Sequence, residues 1–390
     1  MSNRPLKMQC RKALSLCIVF AMIFGMGIFN IPQVSAADNF LYVSESGNDF
    51  SGNGSSTSPY RSIAKAAEMA TPGTTVLVRA GTYIEESIRP AVSGTESAMI
   101  VFRPEKDSDV GKVIIKHNDK FDGSSITPAI KQQWLSDNGW EESQVQHYSN
   151  ADIEYSIADR KNQLTDVFDL SERDFIQIEG FVFKDYKYAR NSINIYGNGN
   201  VVINNRFEDI GCVPNSKWHW TMKGVKRGDV TILVSGKNNV VRNNFFQNVV
   251  GETLSYDGNS QHNIITENTF IGGIGKNSDA GGAESSTLGG RFENNNHNAF
   301  AFNYSGGSVN GGTIWLDVCV RDFVALRNVC HNTAYFMFNE SGCERNWAYE
   351  NIIYNKPLDA NGRMPADSKY FTDFRAQKIE SGLFTAFWDT

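Results

Sequence analysis

Two stretches decide the fold: NVVRNNFF at residues 239–246 and NIITENTF at residues 263–270. Each alternates apolar with polar residues and then reaches an Asn, the pattern of a short strand running into a corner. The same phrase recurs upstream, in DFIQIEGFVF (174–183) and NVVINNRF (200–207), and downstream, in FVALRNVC (323–330) and NWAYENII (346–353). Its shared turn position falls at Gly180, Asn205, Asn244, Asn268, Asn328 and Asn351, at intervals of 25, 39, 24, 60 and 23 residues. One coil is therefore 23 to 25 residues, 39 is a coil with a loop, and 60 is two coils with extra loop residues. A period of this size with strand alternation predicts an all-β parallel solenoid. Asn is expected at the corners because it tolerates left-handed geometry and bonds its own backbone.

Upstream of the repeat, residues 40–44 read as a strand, 64–70 as a short helix with Ser62 as N-cap, and 75–79 and 83–89 as strands. Short strands continue at 99–102 and 112–116. The succession YVSESGND, SPYRSIAKAAEMATPGTTVLVRAGTY and IRPAVSGT resembles the N-terminal cap of secreted right-handed parallel β-helix proteins, among them polysaccharide lyases and glycoside hydrolases. The resemblance implies that the helix closes the open end of the solenoid, where apolar cross-section and strand edges would otherwise be exposed.

At the start of the chain, Arg4, Lys7, Arg11 and Lys12 precede an apolar run over 14–29 and a Val-Ser-Ala site ending at Ala36. That order is a secretory leader cut after about Ala36. Export to the extracellular space or cell surface is expected, with no membrane contact once the leader is removed. The formal net charge of −6 becomes more negative without those four basic residues, which argues against nucleic acid as a partner. A monomer acting on a polysaccharide or oligosaccharide is expected. Residues 37–116 form the cap and first coils, 117–165 an inserted loop or small subdomain, and 166–390 the remaining coils, with the repeat reading as continuing at Thr390. In the insertion, 129–137 suits a helix, and Trp134, Trp140, Tyr148 and Tyr155 suit a local core. After the leader, Cys212, Cys319, Cys330 and Cys343 remain, compatible with buried thiols or with one disulfide.

The long intervals mark excursions from the wall, one over 212–228 with Trp218, His219 and Trp220, the other over 278–312. Loops on a regular scaffold are where binding concentrates, so the Trp-His-Trp cluster is a candidate sugar-binding element. A second candidate lies in IWLDVCVRDFVALRNVCHNTAYFMFNES, where Asp317 and Glu340 are 23 positions apart, one coil length. Neighbouring parallel strands lie roughly 4.7–4.9 Å apart. That spacing is close to the ~5–5.5 Å between the two carboxyl groups of a retaining glycosidase. Alternation puts Ile314, Leu316 and Val318 inside and Trp315 and Asp317 outside; the same register sets Phe338 above Trp315 and Glu340 above Asp317, and turns Asn339 inward. Trp315 and Phe338 are then candidate substrate-binding aromatics.

This segment is similar to the active-site coils of glycoside hydrolase family 120, the β-helical β-xylosidases, and to the neighbouring family 141 group. The resemblance implies Asp317 as nucleophile and Glu340 as general acid/base, with no cofactor. It covers the cap and these two coils; Val318 and Cys319 depart from the aromatic and acid that follow the motif in the xylosidases. Two other readings stay open. A polysaccharide lyase would take Lys223, Lys226 or Arg227 as base and Ca²⁺ on Asp257, Asp279 and Glu284. A non-catalytic carbohydrate-binding solenoid would need the aromatics and neither acid.

Overall fold

The computed structural model describes residues 39–118, 120–144, 146, 149–161, 163–211, 230–249, 252–256, 258–271, 277–279, 282–284, 286–290, 295–306, 312–316, 319–331, 336–339, 343–354 and 383–385. The leader over 1–36 lies outside them. So do Cys212, the Trp218-His219-Trp220 cluster, Lys223, Lys226, Arg227, Asp257, Asp317 and Glu340.

The chain winds into three parallel sheets of 10, 9 and 8 strands, each built from one strand per coil. Strand order within each sheet follows the chain, so every coil stacks on the one before it. This is the parallel β-helix expected, and parallel crossovers of this kind are right-handed almost without exception. The first sheet runs from Asn39–Val43 to Trp347–Tyr349, the second from Gly81–Glu85 to Ile352–Tyr354, and the third from Phe168–Leu170 to Leu383–Thr385.

Alternating residues of all three sheets fill the interior. Phe183, Phe207, Phe246 and Phe270 stack on consecutive coils with ring centroids 4.7, 4.7 and 4.8 Å apart and planes within 12°. Their spacing reads out the rise per coil, and it matches the strand separation of an ordinary sheet.

The corner between the first and second sheets is two residues long on successive coils: 204–205, 243–244, 267–268, 302–303, 327–328 and 350–351. Here the structure corrects the expectation about Asn. The left-handed residue is the first of each pair, Asn204 (φ 60°), Asn243 (51°), Glu267 (58°), Phe302 (57°), Arg327 (50°) and Glu350 (51°). The second is the Asn, and its side chain goes inward. Asn205 Oδ1 accepts from Phe181 N at 3.0 Å while its Nδ2 donates to Ile178 O at 2.9 Å. The same bonds repeat at Asn244, Asn268, Asn303, Asn328 and Asn351. A parallel ladder at the other end of the first sheet joins Asn200, Asn239, Asn263 and Asn298. A buried amide is tolerated because both of its ends are paired.

One count in the repeat shifts accordingly, and the interval of 60 is two coils as expected. The residue equivalent to Asn205 one coil earlier is Phe181, 24 positions back, and Gly180 holds the left-handed place (φ 77°). The interval of 60 contains Asn303, 35 residues after Asn268 and 25 before Asn328.

The cap helix spans Ile63–Met69 with Ser62 as N-cap, its hydroxyl accepting from Lys65 N at 3.0 Å. Glu85, almost fully buried, reaches the same end and accepts from Ile63 N (2.6 Å) and Ala64 N (3.3 Å). Burial pushes the Glu85 carboxyl up to about 7 in spite of these bonds. Ile63, Ala66 and Ala67 join Val43, Val76 and Val78 in the main core.

Within the insertion, helices Pro128–Asn138 and Asn150–Arg160 pack around Ile126, Trp134, Leu135 and Ile153. Trp134 meets Trp140 edge to face at 5.2 Å and donates to Ser156 Oγ. Tyr155 belongs to a second small cluster with Tyr188 and Leu164, and Tyr148 lies outside the described residues.

Candidate functional site

The third sheet carries the two strands singled out by the sequence, Gly312–Leu316 and Met337–Asn339. They are parallel neighbours, with Ile314 opposite Met337, Trp315 opposite Phe338 and Leu316 opposite Asn339. Ile314, Leu316 and Met337 are fully buried, so Trp315 and Phe338 hold the alternate positions of the pleat, in line with each other. Asn339 falls in line with Leu316, on the core-facing register. The pairing ends one residue short of Asp317 and Glu340, both outside the described residues.

At the strand entrance Phe336 is buried at 2% exposure and its carbonyl accepts from Ile314 N. Phe336 precedes the strand, where the chain is still turning in from the corner, so the pleat does not yet govern it.

The register also adds what the sequence reading missed. Phe384 pairs with Phe338 on the next coil, and Gly289 pairs with Trp315 on the previous one. The line through this sheet is therefore Ser255, Gly289, Trp315, Phe338, Phe384. Only the coil pitch could have revealed it, because a long segment separates Tyr354 from Leu383.

Nearly all length variation sits at the corner where the second sheet passes into the third. Residues 118–167, 211–229, 272–285 and 355–382 all intervene there. A small antiparallel hairpin, Asn277–Asp279 with Gly282–Glu284, belongs to the third of them and carries Asp279 and Glu284. The excursions thus leave beside the sheet that bears Trp315 and Phe338.

Lower on that sheet lies a polar network the sequence reading passed over. Asp166 accepts from Asn191 Nδ2 (2.7 Å) and Asn194 Nδ2 (3.0 Å), and burial pushes its carboxyl up to about 6. Burial alone would raise Asp169 as well, but hydrogen bonds from Ser171 and the Arg89 guanidinium outweigh it and hold the carboxyl below its usual range. Asn194 pairs with Asp169 across the strands and is four coils from Trp315 in the same line. Arg89 and Asp169 tie the first coils to the point where the insertion re-enters the wall, a structural use of the pair.

Cys319, Cys330 and Cys343 carry thiols. Cys330 lies in the core, and burial pushes its thiol up to about 12, so it is chemically inert. No group of three or more His, Cys, Asp or Glu among the described residues is arranged to hold a metal ion. No helix among them is long and apolar enough to cross a membrane.

The family model described as "Protein of unknown function (DUF1565)" matches residues 45–89, the cap and its helix. Protein YwoF of Bacillus subtilis (strain 168), itself uncharacterized, is 36% identical over 93 residues, which are 24% of this chain and 19% of that protein. Among solved structures, the complex of XylC with xylose is similar at 12% identity and a TM-score of 0.40, covering 79% of this chain and 70% of that one. An alginate lyase from Paenibacillus sp. str. FPU-7 is similar at 12% identity and 0.40, covering 75% and 95%. A glycoside hydrolase is similar at 12% identity and 0.44, covering 83% and 98%. Hydrolase and lyase stand side by side at the same level of likeness, so it separates none of these activities.

Proposed function

We propose that the chain is an exported glycoside hydrolase acting on a polysaccharide or oligosaccharide by a retaining mechanism, with Asp317 as nucleophile and Glu340 as general acid/base. The observation that carries this reading is the pairing of Leu316 with Asn339. Each is followed in sequence by one of the two acids, and neighbouring coils are one strand spacing apart, roughly 4.7–4.9 Å. Two carboxyl groups that close repel, so one keeps its proton while the other ionises.

The chemistry then runs in two balanced steps. Asp317 attacks the anomeric carbon as the bond to the leaving oxygen breaks, and the Glu340 proton passes to that oxygen. Glu340, now a carboxylate, takes a proton from water; the water oxygen bonds the anomeric carbon and the Asp317 carboxylate departs. Trp315 and Phe338, in line one residue earlier on each strand, would flank the sugar.

A panel of plant and microbial polysaccharides, followed by reducing-end release, tests the reading. Glu340→Gln is expected to lower turnover by about 10²–10⁴-fold. Full turnover by that variant, or unsaturated products from the unaltered protein, would overturn it.

A further inference from the structure

We propose that the outer face of the first sheet carries a carbohydrate-binding site of its own, at Trp347 and Tyr349, for a neutral glycan chain. It lies on a different sheet from Trp315 and Phe338 and needs no reaction at Asp317 and Glu340.

The strand Trp347–Tyr349 pairs with Val324–Leu326, and that strand pairs with Ala299–Ala301. The middle residues Phe300, Ala325 and Ala348 meet the core. Alternation therefore turns Trp347 and Tyr349 outward, in line with Val324 and Leu326 on the coil before. Val324 and Leu326 also face outward, yet they are only 3% and 8% exposed. Rings laid back along the sheet from the next coil account for that cover. Tyr349 itself is 36% exposed and Trp347 is half-buried.

The two ring centroids are 6.1 Å apart and their planes lie within 14° of each other. Residues two apart on a strand are separated by roughly 6.6 Å, so the rings repeat the step of the strand. A pyranose has a face of C–H groups that suits the electron-rich face of an aromatic ring. Two parallel rings in series suit two units of a chain.

Sugar hydroxyls then need donors and acceptors at the rim. Arg345 lies two residues before Trp347, and Glu350 directly follows Tyr349; both side chains are more than half exposed. Residues 321–327 and 344–350 hold three cations and three anions, and each charge has its partner there. Arg345 donates to Asp322 at 2.6 and 2.7 Å, Arg327 to Glu350 at 2.5 Å, and Arg321 approaches Glu344 at 4.0 Å. The rim is rich in hydrogen-bonding groups and has no net charge. A polyuronate would bring carboxylates to a surface with no spare cation among these residues, whereas a neutral glycan meets no such penalty.

The area argues against a second copy of this chain as the occupant. A stable protein interface takes about 800 Å² from each partner. Two aromatic side chains supply about 300–500 Å², and the charged rim would have to be desolvated to make up the rest.

The test is affinity electrophoresis of the full chain, in the cold, in gels containing soluble xylan, mixed-linkage β-glucan or galactomannan, with polygalacturonate and alginate as charged comparisons. Retardation by at least one neutral polymer and by neither polyuronate is expected. Trp347→Ala and Tyr349→Ala should each weaken it by about 5–30-fold. Ile352→Ala removes a side chain that is 60% exposed on the second sheet, and should leave retardation unchanged. Retardation by none of the neutral polymers, or equally by the polyuronates, overturns the proposal. Retardation that survives both aromatic variants and is lost in Trp315→Ala also overturns it, because all binding would then belong to the third sheet. Should Trp347→Ala fail to fold, Tyr349→Ala, at the more exposed ring, decides the matter by itself. Sedimentation velocity checks the other occupant: a monomer is expected, and a dimer that Tyr349→Ala dissociates overturns the proposal. Turnover enters none of these readouts, so full activity in Glu340→Gln would sink the glycosidase reading and leave this one standing.

Discussion

Leu316 pairs with Asn339 on the third sheet, and an acid follows each of them in the chain. On the proposed reading, the separation of the two acids is set by the one-coil step from Leu316 to Asn339.

Stereochemistry is the first consequence. A gap near one strand spacing suits a retaining enzyme, whereas an inverting one needs about 6.5–9.5 Å to admit water. Proton NMR of the first product formed should show retained anomeric configuration. Inverted product would mean that Asp317 and Glu340 are not adjacent partners.

The buried Asn ladder should be felt in stability. Asn244 Oδ1 accepts from Asn205 N, and its Nδ2 donates to Val202 O, at 2.9 Å each. Asn244→Ala leaves those backbone groups unpaired in the interior and is expected to cost about 1–3 kcal/mol. Urea unfolding measures it; Asn243→Ala, at the exposed residue beside it, is the comparison.

The left-handed residues make the opposite prediction. Phe302 has φ 57°, which strains its Cβ, and at 39% exposure its ring is only partly covered. Phe302→Gly should raise stability by up to about 1 kcal/mol, read as a higher melting temperature.

Phe246 is sandwiched between Phe207 and Phe270 and is 1% exposed. Phe246→Ala opens a cavity the neighbouring coils cannot close, and a loss of about 3–5 kcal/mol is expected. Denaturant unfolding checks this directly.

Glu85 gives the cap a pH dependence of unusual sign. Its folded carboxyl is raised to about 7 from an ordinary 4.5. Between those values the folded chain keeps a proton that the unfolded chain has lost. The stabilisation is therefore full below about pH 4.5 and is lost as pH rises through 7, up to on the order of 3 kcal/mol. Melting temperature should fall across that window. Glu85→Gln, neutral throughout, should flatten Glu85's share of the slope.

Much of this architecture was legible because the repeat restates itself. The core positions Ile314 and Leu316 and the N-cap at Ser62 follow from alternation and from a short polar residue before an apolar turn. The role of Asn was misread because its local talent, tolerance of a left-handed turn, is visible within one coil, whereas the ladder bonds join residues such as Asn268 and Asn303, 35 positions apart. Asn303 itself was hidden by small residues, since Asn298-Ala-Phe-Ala-Phe-Asn303 lacks the β-branched pair that follows Asn200, Asn239 and Asn263. Phe384 was invisible for a different reason: its register is set by hydrogen bonding across a long excursion, which composition does not encode.

The corner between the second and third sheets finally bears on how such a chain can change. The two-residue corners and the Asn ladders fix pitch on the far side of the wall, while segments as different as 187–190 and 118–167 occupy the same gap. A graft at that corner would leave the next coil at the same height, so its length becomes a free variable for evolution or design. New segments could be traded beside the third sheet while the axial step from Leu316 to Asn339 stays constant.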